Sequence, residues 1–180
     1  MTIPVTYKFG DPIGAVQSAA PGWVRSHLNQ LHNAYRDAVA FAETWNWIQD
    51  VLDGASEAAD FASLNQGLVE AVARYLGLDC NFSTSSDFET DGRTGDDRLI
   101  ALVQGINPSG IYLSGASGAN YQAESKFQAA GIELRYGNFH HPRYDQGQNE
   151  FTSGLSILDP LFHLGREKTA ALLIEGPASE

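Results

Sequence analysis

In the first 80 residues the apolar side chains recur at intervals of three and four, which is the spacing of one face of an α-helix. One such pattern covers residues 23–39, and a second covers residues 45–52. A third begins at residue 63 and ends before Gly77, which is suited to a C-terminal cap. The pattern therefore predicts three helices and a mainly helical part over residues 1–80.

A different pattern opens the chain, where apolar and polar side chains alternate over residues 2–7. Ile3, Val5 and Tyr7 fall on one side of this alternation, as in a half-buried β-strand. Pro4 has no amide hydrogen to donate to a neighbouring strand. We therefore expect an edge strand that begins close to Met1.

After residue 80 short apolar runs alternate with helical patterns, which is typical of β-α-β units that feed a parallel sheet. The predicted strands cover residues 78–86, 110–113 and 132–136. Three helices accompany them: one that Asp96 caps, one over 120–130 and a closing helix over 155–165. The predicted fold class is α/β: a short, mostly parallel sheet with flanking helices in a Rossmann-like three-layer arrangement. Residues 81–180 would form the β-α-β-α-β part with its closing helices.

The composition and net charge indicate how many domains, which kinds of binding partner and which location to expect. A chain of 180 residues that is 43% apolar can bury one core, so we expect a single domain over residues 1–180. The net charge of −11 disfavours nucleic acid and anionic membranes as partners. The one cysteine cannot form an internal disulfide, and no stretch is a leader or a membrane span, so a cytoplasmic location is expected.

The sequence "YLSGASGANY" places small residues directly after a predicted strand. Ligands of open α/β sheets collect at the carboxyl ends of strands, where a glycine loop lets backbone amides approach an anion. Ser114, Gly115 and Gly118 are therefore candidate ligand-binding residues. The alternative is that both glycines only form a tight turn, since the loop matches neither the dinucleotide fingerprint nor the P-loop.

A second candidate group ends the neighbouring predicted strand. The hydroxyls of Ser85 and Ser86 would reach the same edge of the sheet, where Arg98 in the next helix could pair with an anion. The alternative is that Ser86 begins a turn and Arg98 pairs with an acid on the surface.

The polar loop over residues 138–151 contains His140 and His141, which point to opposite sides of an extended segment and do not form a zinc pair. No metal site is predicted here. His141 and Tyr144 are the candidate catalytic residues, because loops on a rigid scaffold carry chemistry disproportionately. A purely solvated loop is the alternative.

Asp159 lies in the otherwise apolar segment "GLSILDPLFHLG". Three residues after Ser156, it occupies the acid position of a capping box, with Pro160 in the first helical turn. The alternative function is to hold a ligand hydroxyl or a buried arginine.

These motifs together resemble the WbqC-like family. Residues 96–165 resemble the C-terminal portion of its members, and the resemblance extends upstream to the N-terminal strand. The matching elements are "YLSG" at 112–115, Tyr121, Phe127 with Gly131 and Ile132, Tyr144 with Gln146, and "SILDPLF" at 156–162.

The resemblance implies a bacterial protein linked to surface polysaccharide, such as O-antigen, or to amino-sugar modification. A transferase that binds an anionic sugar nucleotide or acyl donor would follow; the reaction and any cofactor stay open. The ligand would be held by Ser85, Ser86, Arg98, Ser114, Gly115, Gly118, Tyr121 and Asp159, with His141 or Tyr144 over its mouth.

Members of the family also carry an N-terminal segment with a histidine-proline motif, which this sequence does not match. We therefore expect a chain truncated relative to the family, with an open sheet edge that a second copy or another partner would complete. The alternatives to an enzyme of this family are a noncatalytic binding or interaction module, an inactive truncated homologue, or a tailoring protein of phage or secondary metabolism.

Overall fold

The computed structural model describes residues 1–18, 22–148 and 150–175, and they divide into two compact units. The helical unit consists of Met1–Cys80 with His141–Glu180, and the strand unit consists of Asn81–His140. The single domain predicted over residues 1–180 stays a prediction. None of the helices in the described part of the chain is long and apolar enough to cross a bilayer.

Helices dominate both units. The α-helices are α1 Trp23–Tyr35, α2 Phe41–Ala55, α3 Phe61–Leu76, α4 Gly95–Ile106, α5 Glu124–Ala129, α6 Leu158–Leu164 and α7 Arg166–Glu175. The strands are β1 Val5–Thr6, β2 Gln17–Ser18, β3 Ile111–Gly115 and β4 Glu133–Gly137, and short 3-10 helices cover Ile13–Ala15, Ser85–Asp87 and Ala116–Asn120. The α/β class is confirmed, whereas the described strands form only two small sheets and do not show a Rossmann-like three-layer arrangement.

The N-terminal strand is shorter than the alternation predicts. β1 pairs antiparallel with β2 over two residues, in the register Val5 with Ser18. Tyr7 is 64% exposed, so the apolar side of the alternation is not continuously buried. A strand without a buried face has little to hold a longer ladder in place.

The three predicted helices are present with shifted ends. α3 begins at Phe61 because Asp60, rather than Ser63, is its N-cap and accepts from the Ser63 amide at 2.8 Å. Gly77 ends α3 in the left-handed conformation, as predicted. α2 continues beyond the predicted stop at residue 53, because the Ser56 amide and hydroxyl bond back to its last turn.

The core of the helical unit combines the faces of α1, α2 and α3 with the closing helix α6. Its buried members are Trp23, Leu31, Ile48, Leu52, Leu64 and Phe162. Thr44 donates to the Leu161 carbonyl at 2.7 Å, and the Ala40 amide donates to the Phe162 carbonyl. The closing helix predicted over 155–165 begins only at Leu158 as α6, and Leu155 lies outside it and is 46% exposed.

The strand unit is built on a parallel pair of strands, β3 and β4, in the register Ile111 with Glu133. Ile100, Phe127 and Ile132 form its buried core, against which Tyr112 and Leu134 pack from the strands. Helices α4 and α5 therefore cover one face of the pair.

Two predictions in this unit are wrong. Residues 78–84 form no strand, and Ser85–Asp87 is a 3-10 helix instead. Phe82 is 39% exposed, so this stretch has no buried face to favour a strand. The helix predicted over 120–130 begins only at Glu124, because the Ala123 amide bonds to Asp96 and ends the preceding loop.

Candidate functional site

The candidate residues fall into two groups, one in each unit. Ser85, Ser86, Arg98, Ser114, Gly115, Gly118 and Tyr121 belong to the strand unit, and His141, Tyr144 and Asp159 belong to the helical unit. Each group has its own local geometry.

The two glycines after β3 have different surroundings. A Cβ atom on Gly118 would collide with the Ser114 hydroxyl and the Gln122 side chain, so glycine is needed there for close packing. A Cβ on Gly115 would meet no atom within 4 Å. Ser114 is itself only 6% exposed, and its hydroxyl faces this packed turn. The turn interpretation therefore accounts for Gly118, and it leaves Gly115 without a packing role.

The first turn of α4 lies beside the loop that follows β3. The Asp96 carboxylate accepts from the Ala123 amide at 2.9 Å, so it bridges two segments and does not cap its own helix. Asp97 pairs with Lys126 at 3.0 Å. These two acids therefore hold the first turn of α4, which carries Arg98, against the start of α5. The Arg98 side chain is exposed, as is Tyr121 at 72%.

Ser85 and Ser86 are placed by a different contact. They lie in an exposed 3-10 helix, and the nearby Phe88 ring packs on Gly105 in the last turn of α4. Arg98 is seven residues earlier in that helix, about 10 Å along its axis. Among the described residues, no hydrogen bond joins either serine to Arg98 or Ser114. The strand predicted over residues 78–86 is absent, so the reason for expecting the two serines at one sheet edge is removed.

In the helical unit the structure brings two of the candidates together. Asp159, which is 4% exposed, accepts from the Tyr144 hydroxyl at 2.8 Å. Its other oxygen accepts from Tyr35 at 3.2 Å. His163 lies 3.8 Å from the same carboxylate, one helical turn further along. Asp159 therefore holds two tyrosine hydroxyls, and Ser156 caps the Leu158 amide without it.

Gln146 extends this buried network into the polar loop. Its amide nitrogen donates to the Tyr144 hydroxyl at 3.2 Å and to the Thr152 carbonyl at 2.9 Å. Its oxygen accepts from the Thr152 amide at 2.8 Å. The loop is thus pinned to Asp159 by hydrogen bonds and is not purely solvated, although His140 and His141 are exposed.

The electrostatics of this network keep both tyrosines protonated. Burial, reinforced by the Asp159 carboxylate, raises the pKa of Tyr35 to about 12. Burial likewise raises the pKa of Tyr144 to about 12, with the Asp159 contact adding to it and the Gln146 hydrogen bond opposing it. At neutral pH each hydroxyl therefore donates a proton in a hydrogen bond to the carboxylate and does not itself ionise.

Sequence reasoning missed Tyr35 and Gln122. Tyr35 lies within the helical pattern over residues 23–39, and its partner Asp159 is 124 residues away, so no local pattern links them. Gln122 lies against the packed turn, and its side-chain oxygen is buried without a hydrogen-bond partner among the described residues. The described ranges contain no group of three or more His, Cys, Asp or Glu side chains that could hold a metal ion.

Comparison with known proteins identifies the relatives of the chain. The WbqC-like protein family matches residues 1–171. A protein of Mycobacterium tuberculosis (strain ATCC 25618 / H37Rv), described as the uncharacterized protein Rv1507c, is 30% identical over 171 residues, which cover 93% of this chain and 72% of that protein. No solved structure matches the chain significantly. By its sequence, from residue 1 to residue 171, the chain belongs to the WbqC-like protein family.

Proposed function

We propose that this WbqC-like protein binds an anionic small molecule, a sugar nucleotide or an acyl donor, and acts in the cytoplasm as a transferase in the modification of bacterial surface polysaccharide or amino sugars. The observation that carries the proposal is the bond between Asp96 and the Ala123 amide. This bond joins the α4 turn that carries Arg98 to Ala123, the last residue before α5 in the segment that follows the parallel strand β3. Ligands of α/β sheets bind in the connections at the carboxyl ends of strands.

The charges around this loop favour Arg98 as the residue that pairs with the anion. The chain is strongly acidic, so an anion needs a local cation to approach it. Lys126 is already paired with Asp97. Arg98 is exposed, forms no ion pair with a described residue, and presents a planar fork suited to phosphate or carboxylate.

The remaining strand-unit candidates keep separate roles in the proposal. Gly115 has open space around it and would let backbone amides approach the ligand, while Tyr121 would contact it through an exposed ring. Ser85 and Ser86 would contribute hydroxyls only if their segment reaches this loop. Ser114 and Gly118 would support the conformation of the loop through their close packing.

The catalytic part of the proposal rests on the polar loop. His141 is the proposed acid–base residue, because an imidazole ring can both accept and donate a proton. Tyr144 and Asp159 are proposed to hold this loop in place, since Tyr144 keeps its proton far above neutral pH.

Calorimetric titration of the full chain tests the binding proposal, with UDP-N-acetylglucosamine, dTDP-glucose and acetyl-coenzyme A as probes. Arg98→Ala should weaken binding of the recognised probe by about tenfold, the loss of one good charge-assisted contact. Arg93→Ala is the matched control, because Arg93 is also exposed but pairs with Asp91. Equal affinities for the two variants, or no heat with any probe, would overturn the proposal.

A noncatalytic binding module is the second candidate function. It is favoured by the helical unit, where the side chains of Tyr144, Gln146 and Asp159 form hydrogen bonds with one another. Mass spectrometry after incubation with pairs of the probes distinguishes the two: a transferred group indicates a transferase, and binding without any new product indicates the module.

We also propose that the N-terminal edge promotes self-association, because β1 is paired over only two residues. Sedimentation equilibrium measures this directly. A monomer at every concentration would contradict it.

A further inference from the structure

The helical unit contains an apolar cavity of about 500 Å³ between α1, α2 and α3. Its wall includes Trp23, Leu31, Trp47, Ile48 and Val72. We propose that this cavity binds the apolar part of a small amphipathic molecule, such as a medium-chain acyl group.

Three polar side chains in the wall already have partners inside the protein. The His27 ring nitrogen Nε2 donates to the Thr2 carbonyl at 3.2 Å, since a carbonyl oxygen can only accept. The Asn65 amide donates to the Phe61 carbonyl at 2.8 Å. Ser156, which also lines the cavity, accepts from a backbone amide of its own turn. The wall therefore presents mainly apolar surface, which selects an apolar group over a sugar or a nucleotide.

The size of the cavity favours a ligand over a packing defect. An engineered apolar cavity of about 150 Å³ is already large enough to bind benzene, and small-molecule pockets measure about 300–1,000 Å³. The cavity also reaches side chains of the buried core of this unit: Leu31 is 4% exposed and Ile48 is 3% exposed. A slender ligand can reach such side chains, whereas a flat protein surface cannot.

This site does not depend on the anion-binding proposal. All the residues that line the cavity belong to the helical unit, whereas Arg98 and the loop after β3 belong to the strand unit. Binding of an apolar probe and binding of a nucleotide sugar can therefore succeed or fail separately.

Tryptophan fluorescence gives a direct test, with decanoate carrying a bromine on its terminal carbon as the quenching probe. Trp23 and Trp47 line the cavity, whereas Trp45 is outside the lining and stacks on Phe41 at 5.3 Å. We expect saturable quenching of the full wild-type chain, with one molecule bound per chain below the micelle concentration. Unbrominated decanol should reverse it, because the apolar chain makes the contacts.

Two variants on α3 form a matched pair. Val72→Phe fills the cavity and should weaken binding by about tenfold or more. Val69→Phe makes the same change at a residue that is 59% exposed on the same helix, and should leave the affinity within about twofold. Equal affinities for the two variants would overturn the proposal.

Two further variants keep the test valid if Val72→Phe fails to fold. In Trp45→Phe the quenching should persist, because both cavity tryptophans remain. In the double variant Trp23→Phe/Trp47→Phe the remaining Trp45 should be quenched much less. Equal quenching of these two proteins, or quenching only above the micelle concentration, would show surface partitioning and overturn the proposal.

Discussion

The two units differ in the burial of polar residues that belong to the family motifs. In the helical unit Tyr144, Gln146 and Asp159 are drawn into a hydrogen-bonded network whose carboxylate is 4% exposed. In the strand unit Arg98 and Tyr121 remain at the surface. A polar residue in a family motif can therefore be buried and stabilise its unit, or it can be exposed at the surface. Its position in the sequence does not show which of these applies.

The units also differ in how completely they bury apolar surface. The core cluster of the helical unit draws its six buried residues from four helices, whereas that of the strand unit has three. Among the described residues β3 and β4 pair with no other strand, and Ile111 and Leu113 on β3 are 50% and 67% exposed. Because parallel sheets normally bury both faces, the strand unit is expected to be the less stable of the two.

The largest expected effects come from the two phenylalanines that are fully buried, one in each unit. Phe162→Ala and Phe127→Ala should each lower the free energy of unfolding by about 3–5 kcal/mol, because each leaves a large cavity. Hydrogen exchange followed by mass spectrometry should show faster exchange within the mutated unit. Equal acceleration across both units for either variant would contradict separate cores.

A smaller effect is expected from the buried carboxylate. Asp159→Asn removes the charge that accepts from Tyr35 and Tyr144, and should cost about 2–3 kcal/mol in urea denaturation. Asp145→Asn is the control, since its exposed carboxylate accepts from the nearby Gly147 amide and from no other residue that the structure describes. That change should stay within about 0.5 kcal/mol. Similar losses in the two variants would mean that the buried network does not stabilise the helical unit.

The loop after β3 offers a sharper comparison within the strand unit. Gly118→Ala places a methyl group against Ser114 and Gln122, and should destabilise by about 1–3 kcal/mol. Gly115→Ala points into open space and should change stability by less than about 0.5 kcal/mol. Thermal unfolding measures both. If the two variants have the same melting temperature, the close contact at Gly118 does not constrain the loop.

The smallest expected effect is the dependence on alkaline pH. The pKa values of Tyr35 and Tyr144 are raised from 10.0 to about 12 in the folded protein, so the unfolded chain loses these protons first. Their contribution to stability is complete below pH 10 and is lost as the pH rises towards 12. Solvent screening of these partly buried hydroxyls limits its size.

Urea midpoints measured across that pH range test this effect. The decline should be shallower in Tyr35→Phe/Tyr144→Phe, because the substituted rings have no proton to lose. An equally steep decline in the double variant would assign the effect to other groups.

Local sequence patterns predicted much of the fold. The three- and four-residue spacing identified the first three helices, and the apolar runs before and after α5 identified β3 and β4. The prediction failed at residues 78–84, where hydroxyl side chains and an exposed Phe82 provide no buried face. A strand needs a partner and a core face, and a short apolar run specifies neither.

The candidate site was predicted less completely than the fold. Ser114 and Gly115 lie at the end of the parallel strand β3 and Gly118 in the 3-10 helix that follows, and their role in ligand binding stays a prediction. No local pattern indicated the collision that a side chain on Gly118 would cause with Ser114. The contact that holds the Arg98 turn against the start of α5, between Asp96 and Ala123, spans 27 residues. Such a contact depends on how α4 packs, which a local pattern does not contain.

By itself the sequence determined the family, the α/β class, the helical first part and the residues available for chemistry, because these follow from local periodicity and from ordered motifs. Only the tertiary structure decided which polar residues are buried and which are accessible. Asp159 is held by Tyr35 from 124 residues away, whereas Arg98 stays exposed on its helix. The physical reason is that burial and hydrogen bonding depend on packing between residues far apart in the sequence. Packing therefore decides which polar side chain is buried and which is exposed.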